Sequence, residues 1–567
     1  MSSRATLALS SALLLLGGAS ANVETLPEGH AASVARKGWR PLARADPAAP
    51  LRLTVAVRQE NLEELTRVLH AVSDPESKNY GEFLTAAQVD ALVAPSADRV
   101  ARVAAWLKGA DNDVTSTTRN GDFLHVDTTV ARAEKLLGHG ATYMTYQHAA
   151  TGKRITRLRL KDPESADADA DAPYILPDGI APLVDFVAPT VTFPPIDATT
   201  PFRVASPQAK PVITPPKLRA LANMTDSDVG KGAAAEGAVK QGVASFLGQF
   251  YDPADLKALR AKYELSTTGL DKLLVGVPAS QKHTPVGVEA SMDVQYITST
   301  GNEIATEHWS TDGAQPGNPE NEPFVKWLTD VASAGDDVPS LFSISYGDEE
   351  TGVSYAYAQR CSVEFQKAGV RGISLLAASG DAGVGCGTAG FIPTFPASCP
   401  YITGVGAVTG GTPGQSPTGE GVADLSGGGF SNYFARPSYQ DDAVKAYVSR
   451  GGGSGLPEQD KWNASGAGFP DIAAQGILFD VCTENFFYPY SGTSAACPSA
   501  TGVLSMLSQD RLDRNMTKLG WLNPLLYKIG AGDADRHAFN DVTDGTNTCC
   551  GDDTGFSAAK GWDPVSG

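Results

Sequence analysis

Three apolar runs in the second half of the chain constrain its fold more than any other feature. Lys272-Leu273-Leu274-Val275-Gly276-Val277, Ser340-Leu341-Phe342-Ser343-Ile344-Ser345 and Gly372-Ile373-Ser374-Leu375-Leu376-Ala377-Ala378 read as strands, with helical patterns between them. Strands that alternate with helices pair in parallel, so the segment from about residue 212 onward is expected to be α/β, a mostly parallel sheet with helices on both faces. Ligands of such sheets sit beyond the carboxyl ends of the strands. Two of those ends carry polar residues, Ser345-Tyr346-Gly347-Asp348 and Ser379-Gly380-Asp381.

One sheet does not use up the chain. With 567 residues and 42% hydrophobic content, two folded units are expected. Upstream, residues 51–57 alternate as a strand and residues 62–72 carry apolar side chains at helical spacing until Ser73-Asp74-Pro75 breaks the helix. A second amphipathic helix over 96–107, a strand over 123–126 and a helix over 130–137 complete an α+β unit that runs from Asn22 to about Asp162. From there to Pro216 the composition turns to Asp, Ala and Pro, which predicts an exposed linker open to proteolysis.

The formal charge of −19 argues against nucleic acid or an anionic membrane as partner and suits a protein soluble in acid. Arg4, a largely apolar run over 5–16 and the small residues Ala19-Ser20-Ala21 read as a secretory signal, and no later stretch of about 18 apolar residues follows. Asn223, Asn463 and Asn515 head N-glycosylation sequons. All seven cysteines lie at or beyond Cys361; an oxidising compartment makes disulfides the expectation, and the odd count leaves a thiol over. No paired Cys-x-x-Cys with a matching His pair supports zinc.

Ser491-Gly492-Thr493-Ser494-Ala495-Ala496-Cys497-Pro498 is a small-residue turn leading into an apolar helical run. It suits Ser494 as a nucleophile at a helix N-terminus, where backbone N–H groups meet a developing oxyanion. A base is then required, and no His-Gly-Thr turn opens this segment; His139 lies upstream of the linker, and His283, His308 and His537 have no recognisable setting. Carboxylates fill the role. Glu289 and Asp293 fall one turn apart on a helix otherwise nearly free of charge, which points the pair into a buried site. A carboxylate is a usable base in acid, where an imidazole is already protonated. Asp381, protonated there, could donate to the oxyanion.

Glu289-x-x-x-Asp293, Ser379-Gly380-Asp381 and Ser491-Gly492-Thr493-Ser494-x-x-x-Pro498, in that order, resemble the serine-carboxyl peptidases, or sedolisins. The likeness extends over nearly the whole chain, including residues 345–348, 393–398, 426–432, 436–440 and 561–565. It implies a subtilisin-like catalytic domain, with Ser494 as nucleophile, Glu289 as base, Asp293 supporting the base and Asp381 as oxyanion-hole acid. Asp74-Pro75-x-Ser77-x-x-Tyr80-Gly81 is similar to the family's propeptide signature and implies a ferredoxin-like activation domain that inhibits until acid releases it. The expected division is a signal peptide over 1–21, a propeptide over 22–200, a processing linker over 201–211 and a catalytic domain over 212–567.

The same resemblance implies one Ca²⁺ held by Asp541, Asp563 and the carbonyls of Val542, Ala559 and Gly561, an oxygen donor set suited to a hard cation. Relatives carry a cysteine near the position of Ser557 and continue beyond residue 567, so one family disulfide is in doubt and the chain could be truncated; Cys386 is expected to pair with Cys549 or Cys550. The implied activity is removal of tripeptides from free N-termini in acid, by a protein secreted or held in a lysosome or vacuole. The alternatives are an endopeptidase of the same family and an inactive binding relative.

Overall fold

The computed structural model describes residues 30–110, 112–138, 140–150, 152–160, 174–191, 193, 202–203, 213–224, 237–266, 274–275, 286–311, 324–387, 390–412, 415–532, 538–548 and 554–567. The signal-like N-terminus, most of the linker, His139, His283, His537, Cys549 and Cys550 fall outside them.

The catalytic segment is built on one eight-stranded sheet. Its strands are β1 (Lys240–Ser245), β2 (Leu274–Val275), β3 (Ala305–Ser310), β4 (Leu341–Ile344), β5 (Ser374–Ala378), β6 (Thr403–Thr412), β7 (Gln415–Val422) and β8 (Ile472–Gln475). They lie in the order β2-β3-β1-β4-β5-β6-β7, with β8 also on β6. Every pairing is parallel except that of the edge strand β7. Residues 341–344 and 374–378 are buried throughout, as a sheet covered on both faces requires.

The chain leaves β1 toward one edge and returns to place β4 on its other side, so a topological switch point lies between them. Helices α1 (Val288–Thr300), α2 (Phe324–Ser333), α3 (Tyr355–Val370) and α4 (Thr493–Asp513) cover the sheet. Helices α1 and α4 run closely side by side. A Cβ on Gly502 would fall 2.1 Å from Thr300 Oγ1 and 2.7 Å from the Ile297 carbonyl, so glycine is needed there for the contact. The Thr300 hydroxyl donates to the Ser499 carbonyl at 3.0 Å. That packing sets the N-terminal turns of α1 and α4 beside one another.

The N-terminal unit has a four-stranded antiparallel sheet with Asp113–Thr117, Phe123–Thr129, Pro50–Val57 and Val184–Ala188 in that order across it. Helices separate the first strand in sequence from the second and the third from the fourth, a split βαβ arrangement. The unit therefore does not end near Asp162. Residues 174–191 return to supply an edge strand, and Tyr174, Leu176, Val184, Val187 and Val191 are all buried. Spaced by prolines and acids, these side chains do not stand out in the regional composition.

The N-terminal unit docks on α3 through charge as well as apolar contact. Phe186 packs edge-on against Tyr357 with ring centroids 5.6 Å apart. Beside it, the buried Asp122 carboxylate accepts from Arg360 Nη2 at 2.9 Å and Lys367 Nζ at 3.3 Å, and Arg360 Nε reaches Glu364 Oε1 at 3.1 Å. Burial acts to raise the Asp122 carboxyl, but the Lys367 and Arg360 charges outweigh it and hold it well below the usual range. Removing one member of such a buried network strands the others in low dielectric. Asp122→Ala is therefore expected to destabilise the full-length chain by about 3–5 kcal/mol in urea unfolding; a loss below about 1 kcal/mol, the scale of an exposed pair, would contradict the reading.

Candidate active site

Ser494 is fully buried in the first turn of α4, which the hairpin of Phe479–Thr483 and Phe486–Ser491 feeds through Gly492. Pro498 sits inside the helix and has no N–H for the carbonyl four residues back, that of Ser494. The Ser345 hydroxyl, just beyond β4, takes that carbonyl at 3.3 Å and lies 2.7 Å from Asp293 Oδ1. The shorter contact is the Ser345 hydroxyl donating to Asp293 Oδ1.

Glu289 and Asp293 are both buried, one turn apart on α1. Burial pushes the Glu289 carboxyl well above the ordinary range; the neighbouring Asp293 and Asp381 charges act in the same direction, and the nearby Ser494 hydroxyl opposes them. Burial likewise raises Asp293, against the opposing Ser345 hydrogen bond. The pair therefore retains a proton at pH values where exposed carboxylates are ionised. Ser494 Oγ, both Glu289 oxygens and Asp293 Oδ2 are buried without a hydrogen-bond partner. Catalytic hydrogen bonds commonly tighten only when substrate arrives.

Asp381 follows β5 and faces the same site. Its Oδ1 accepts from the Thr493 N–H at 2.7 Å and from the Thr493 hydroxyl at 2.8 Å, while Oδ2 is buried and unpartnered. The Thr493 hydroxyl in turn accepts from the Gly380 N–H at 3.1 Å. With Oδ1 committed to accepting, a proton on this carboxyl belongs on Oδ2, and burial raises its pKa so that the proton is retained. A Cβ on Gly492 would fall 2.8 Å from Oδ2, so glycine keeps the space in front of that oxygen open.

The sequence reading named Ser494, Glu289, Asp293 and Asp381, and the structure brings all four to one place. It named Ser345, Asp348 and Thr493 only within polar stretches and gave them no role; Ser345 and Thr493 orient two of the carboxyls. Asp348 lies three residues beyond Ser345, and burial raises its carboxyl while Lys37 pulls it down. His308 is buried in β3, 2.9 Å from Ser245 Oγ. Cys497 faces the sheet, its sulfur 3.3 Å from Ser343 Oγ, and burial pushes its thiol up to about 12, which leaves it inert beside Ser494.

At the C-terminal loops, Asp563 is buried and accepts from the N–H groups of Ala559, Val565 and Ser566. Asp541 accepts from the Gly561 N–H at 2.9 Å, so the two carboxylates share one loop. Burial raises Asp563 to about 7. Cys361, Cys399, Cys482 and Cys497 are buried free thiols, and Cys386 is disulfide-bonded. Asn223 and Asn515 are exposed, whereas the Asn463 amide donates to the Ser431 carbonyl at 2.8 Å.

Residues 37–193 match the Pro-kumamolisin activation domain and residues 291–520 match the Subtilase family. Tripeptidyl-peptidase 1 of Homo sapiens is 38% identical over 549 residues, covering 94% of this chain and 91% of that protein. The protein of the same name from Mus musculus is 37% identical over 546 residues, with the same coverage. Among solved structures, a Pseudomonas sedolisin, a serine-carboxyl proteinase complexed with pseudo-iodotyrostatin, aligns with a TM-score of 0.49 at 19% identity over 63% of this chain and 95% of that one.

A protonated carboxyl pair has a direct signature. In infrared spectra at about pH 6, above the ordinary carboxylate range, the native chain is expected to show a carboxylic-acid C=O band that is missing from the Glu289→Gln, Asp293→Asn double variant. Identical spectra for the two chains would mean that the pair is fully ionised.

Proposed function

Because the chain belongs to the sedolisin family of serine-carboxyl peptidases and is similar to tripeptidyl-peptidase 1 over 94% of its length, we propose that it releases tripeptides from free N-termini in an acidic compartment. The observation that carries this reading is the burial of Ser494, Glu289, Asp293 and Asp381 around one site. Glu289 takes the Ser494 proton as Oγ attacks the scissile carbonyl, a contribution of about 10²–10⁴ in rate. Asp293 shares a proton with Glu289 and, held by Ser345, fixes the orientation of the base. The oxyanion receives a hydrogen bond from the protonated Asp381, worth about 10²–10³. Glu289 then returns its proton to the departing amine, and water repeats the sequence on the acyl-enzyme.

Asp348 favours the exopeptidase over the endopeptidase reading. From Ser345, beside the nucleophile, to Asp348 the chain advances three residues, at most about 10–11 Å when extended. An extended tripeptide acyl group lying along that segment has the same reach. It would bring its α-ammonium to a buried carboxylate, and a longer chain passing through would bury that carboxylate against an amide.

The propeptide over 22–200, the linker over 201–211 and the catalytic domain over 212–567 follow as the zymogen's parts. The backbone of Phe202–Arg203 lies antiparallel beside Tyr490 and Ser491, next to the nucleophile's turn, which supports cleavage of the linker by the chain's own site. The N-terminal signal supports export, to the outside or to an acidic organelle. No helix among the described residues is long and apolar enough to cross a membrane. Asp541 and Asp563, with the carbonyls of Val542, Ala559 and Gly561, form an all-oxygen donor set that fits Ca²⁺. The ion would steady these loops and takes no part in the proton transfers above.

A peptide with a free N-terminus and its acetylated twin, given to the acid-processed enzyme, separate the readings. Only the free peptide should yield a tripeptide, Ser494→Ala should yield none, and Glu289→Gln should be slower by about 10²–10⁴. Equal cleavage of both peptides would favour the endopeptidase, and full activity in Glu289→Gln would remove the proposed base.

A further inference from the structure

The prodomain puts an ammonium group against Asp348. Lys37 ends the helix His30–Arg36, and Gly38, at φ 81°, turns the chain into the strand Trp39–Arg44. The tip is stiffly held: Trp39 is buried, and the Gly38 carbonyl accepts from the Ala149 N–H at 2.9 Å. From it, Lys37 Nζ meets Asp348 Oδ1 at 2.7 Å and Oδ2 at 2.6 Å, with Lys37 only 10% and Asp348 only 3% exposed. A Cβ on Gly352 would fall 2.0 Å from this nitrogen and 2.6 Å from Asp348 Oδ2, so the glycine opens the slot that the ammonium fills. The flanking pair Arg36–Glu349, at 3.5 Å, is half exposed on the rim.

We propose that Lys37 is a surrogate for the substrate N-terminus, so that the prodomain inhibits by occupying the ammonium-binding end of the substrate cleft. The inference rests on the reading of Asp348 as the N-terminal anchor. A primary ammonium on a four-carbon stem offers the carboxylate the same three N–H donors as a peptide α-ammonium. Both form a charge-assisted pair, in a site where an unpaired carboxylate would be costly. The contact shares no residue with the Asp122, Arg360 and Lys367 cluster, so the prodomain is held on α3 by one set of side chains and on Asp348 by another. Inhibition and docking are then separable in this molecule.

The test uses the full-length chain carrying Ser494→Ala, which cannot process itself, and tri-alanine or N-acetyl-tri-alanine as probe near neutral pH. With Lys37 present, neither peptide should shift the thermal transition. Lys37→Met keeps the alkyl stem and its packing, and should bind tri-alanine at least about tenfold more tightly than the acetylated form, the scale of one charge-assisted bond. A Lys37→Met chain that binds neither peptide, or both alike, overturns the surrogate role. Asp348→Asn in the acid-processed enzyme, which lacks Lys37, tests the underlying reading separately. If that variant still prefers free over acetylated peptides, Asp348 is not the anchor; if the preference is lost while Lys37→Met binds nothing, only the surrogate role falls.

Discussion

Desolvation of carboxyl groups around one hydroxyl is the constraint on which the rest of the structure depends. In water Glu289, Asp293 and Asp381 would all be ionised at mild acidity, and neither a shared proton nor an acid donor would exist. Burial reverses this by disfavouring charge, and the proximity of the three groups strengthens the effect. The parallel sheet supplies the buried crevice, because β4 and β5 end there and α1 and α4 close over it. Gly502 and Gly492 are small where the site needs backbone to approach closely or space to stay open.

The same electrostatics, with the opposite outcome, hold the prodomain. Asp122 is as buried as the catalytic carboxyls, yet Arg360 and Lys367 keep it ionised well into acid. Acid release through protonation is therefore not expected to start at that cluster. Asp348 differs: burial outweighs its single cation and raises its carboxyl, so it loses charge before Asp122 as pH falls. One contact anchors the prodomain and the other is sensitive to acidification, and the two share no residue.

Much of this was legible in the sequence. The strand ends at Ser345 and Ser379, the lone acid pair on an otherwise uncharged helix, and the glycine before the nucleophile's helix are local patterns with local causes. The segment over 174–191 was not legible, because its apolar residues are diluted by prolines and acids and its strand has meaning only against Pro50–Val57. Asp348 was noticed only as part of a polar strand end. Its partner Lys37 stands far away in the sequence, and no spacing rule connects residues that meet when two domains dock. The thiol of Cys497 had no explanation until the structure turned it toward Ser343.

The central claim concerns which groups carry the protons, and the pH dependence of Ser494 acylation tests it most directly. The acid-processed enzyme would be reacted with a serine-directed fluorophosphonate across a pH series. The carboxyl pair must lose one proton to act as base, so the rate should rise as pH climbs out of strong acid. It should then fall toward neutrality, as Asp381 gives up the proton that burial lets it hold above the ordinary carboxylate range. A rate that instead keeps rising through about pH 6.5, the range in which an imidazole becomes a free base, would contradict the account.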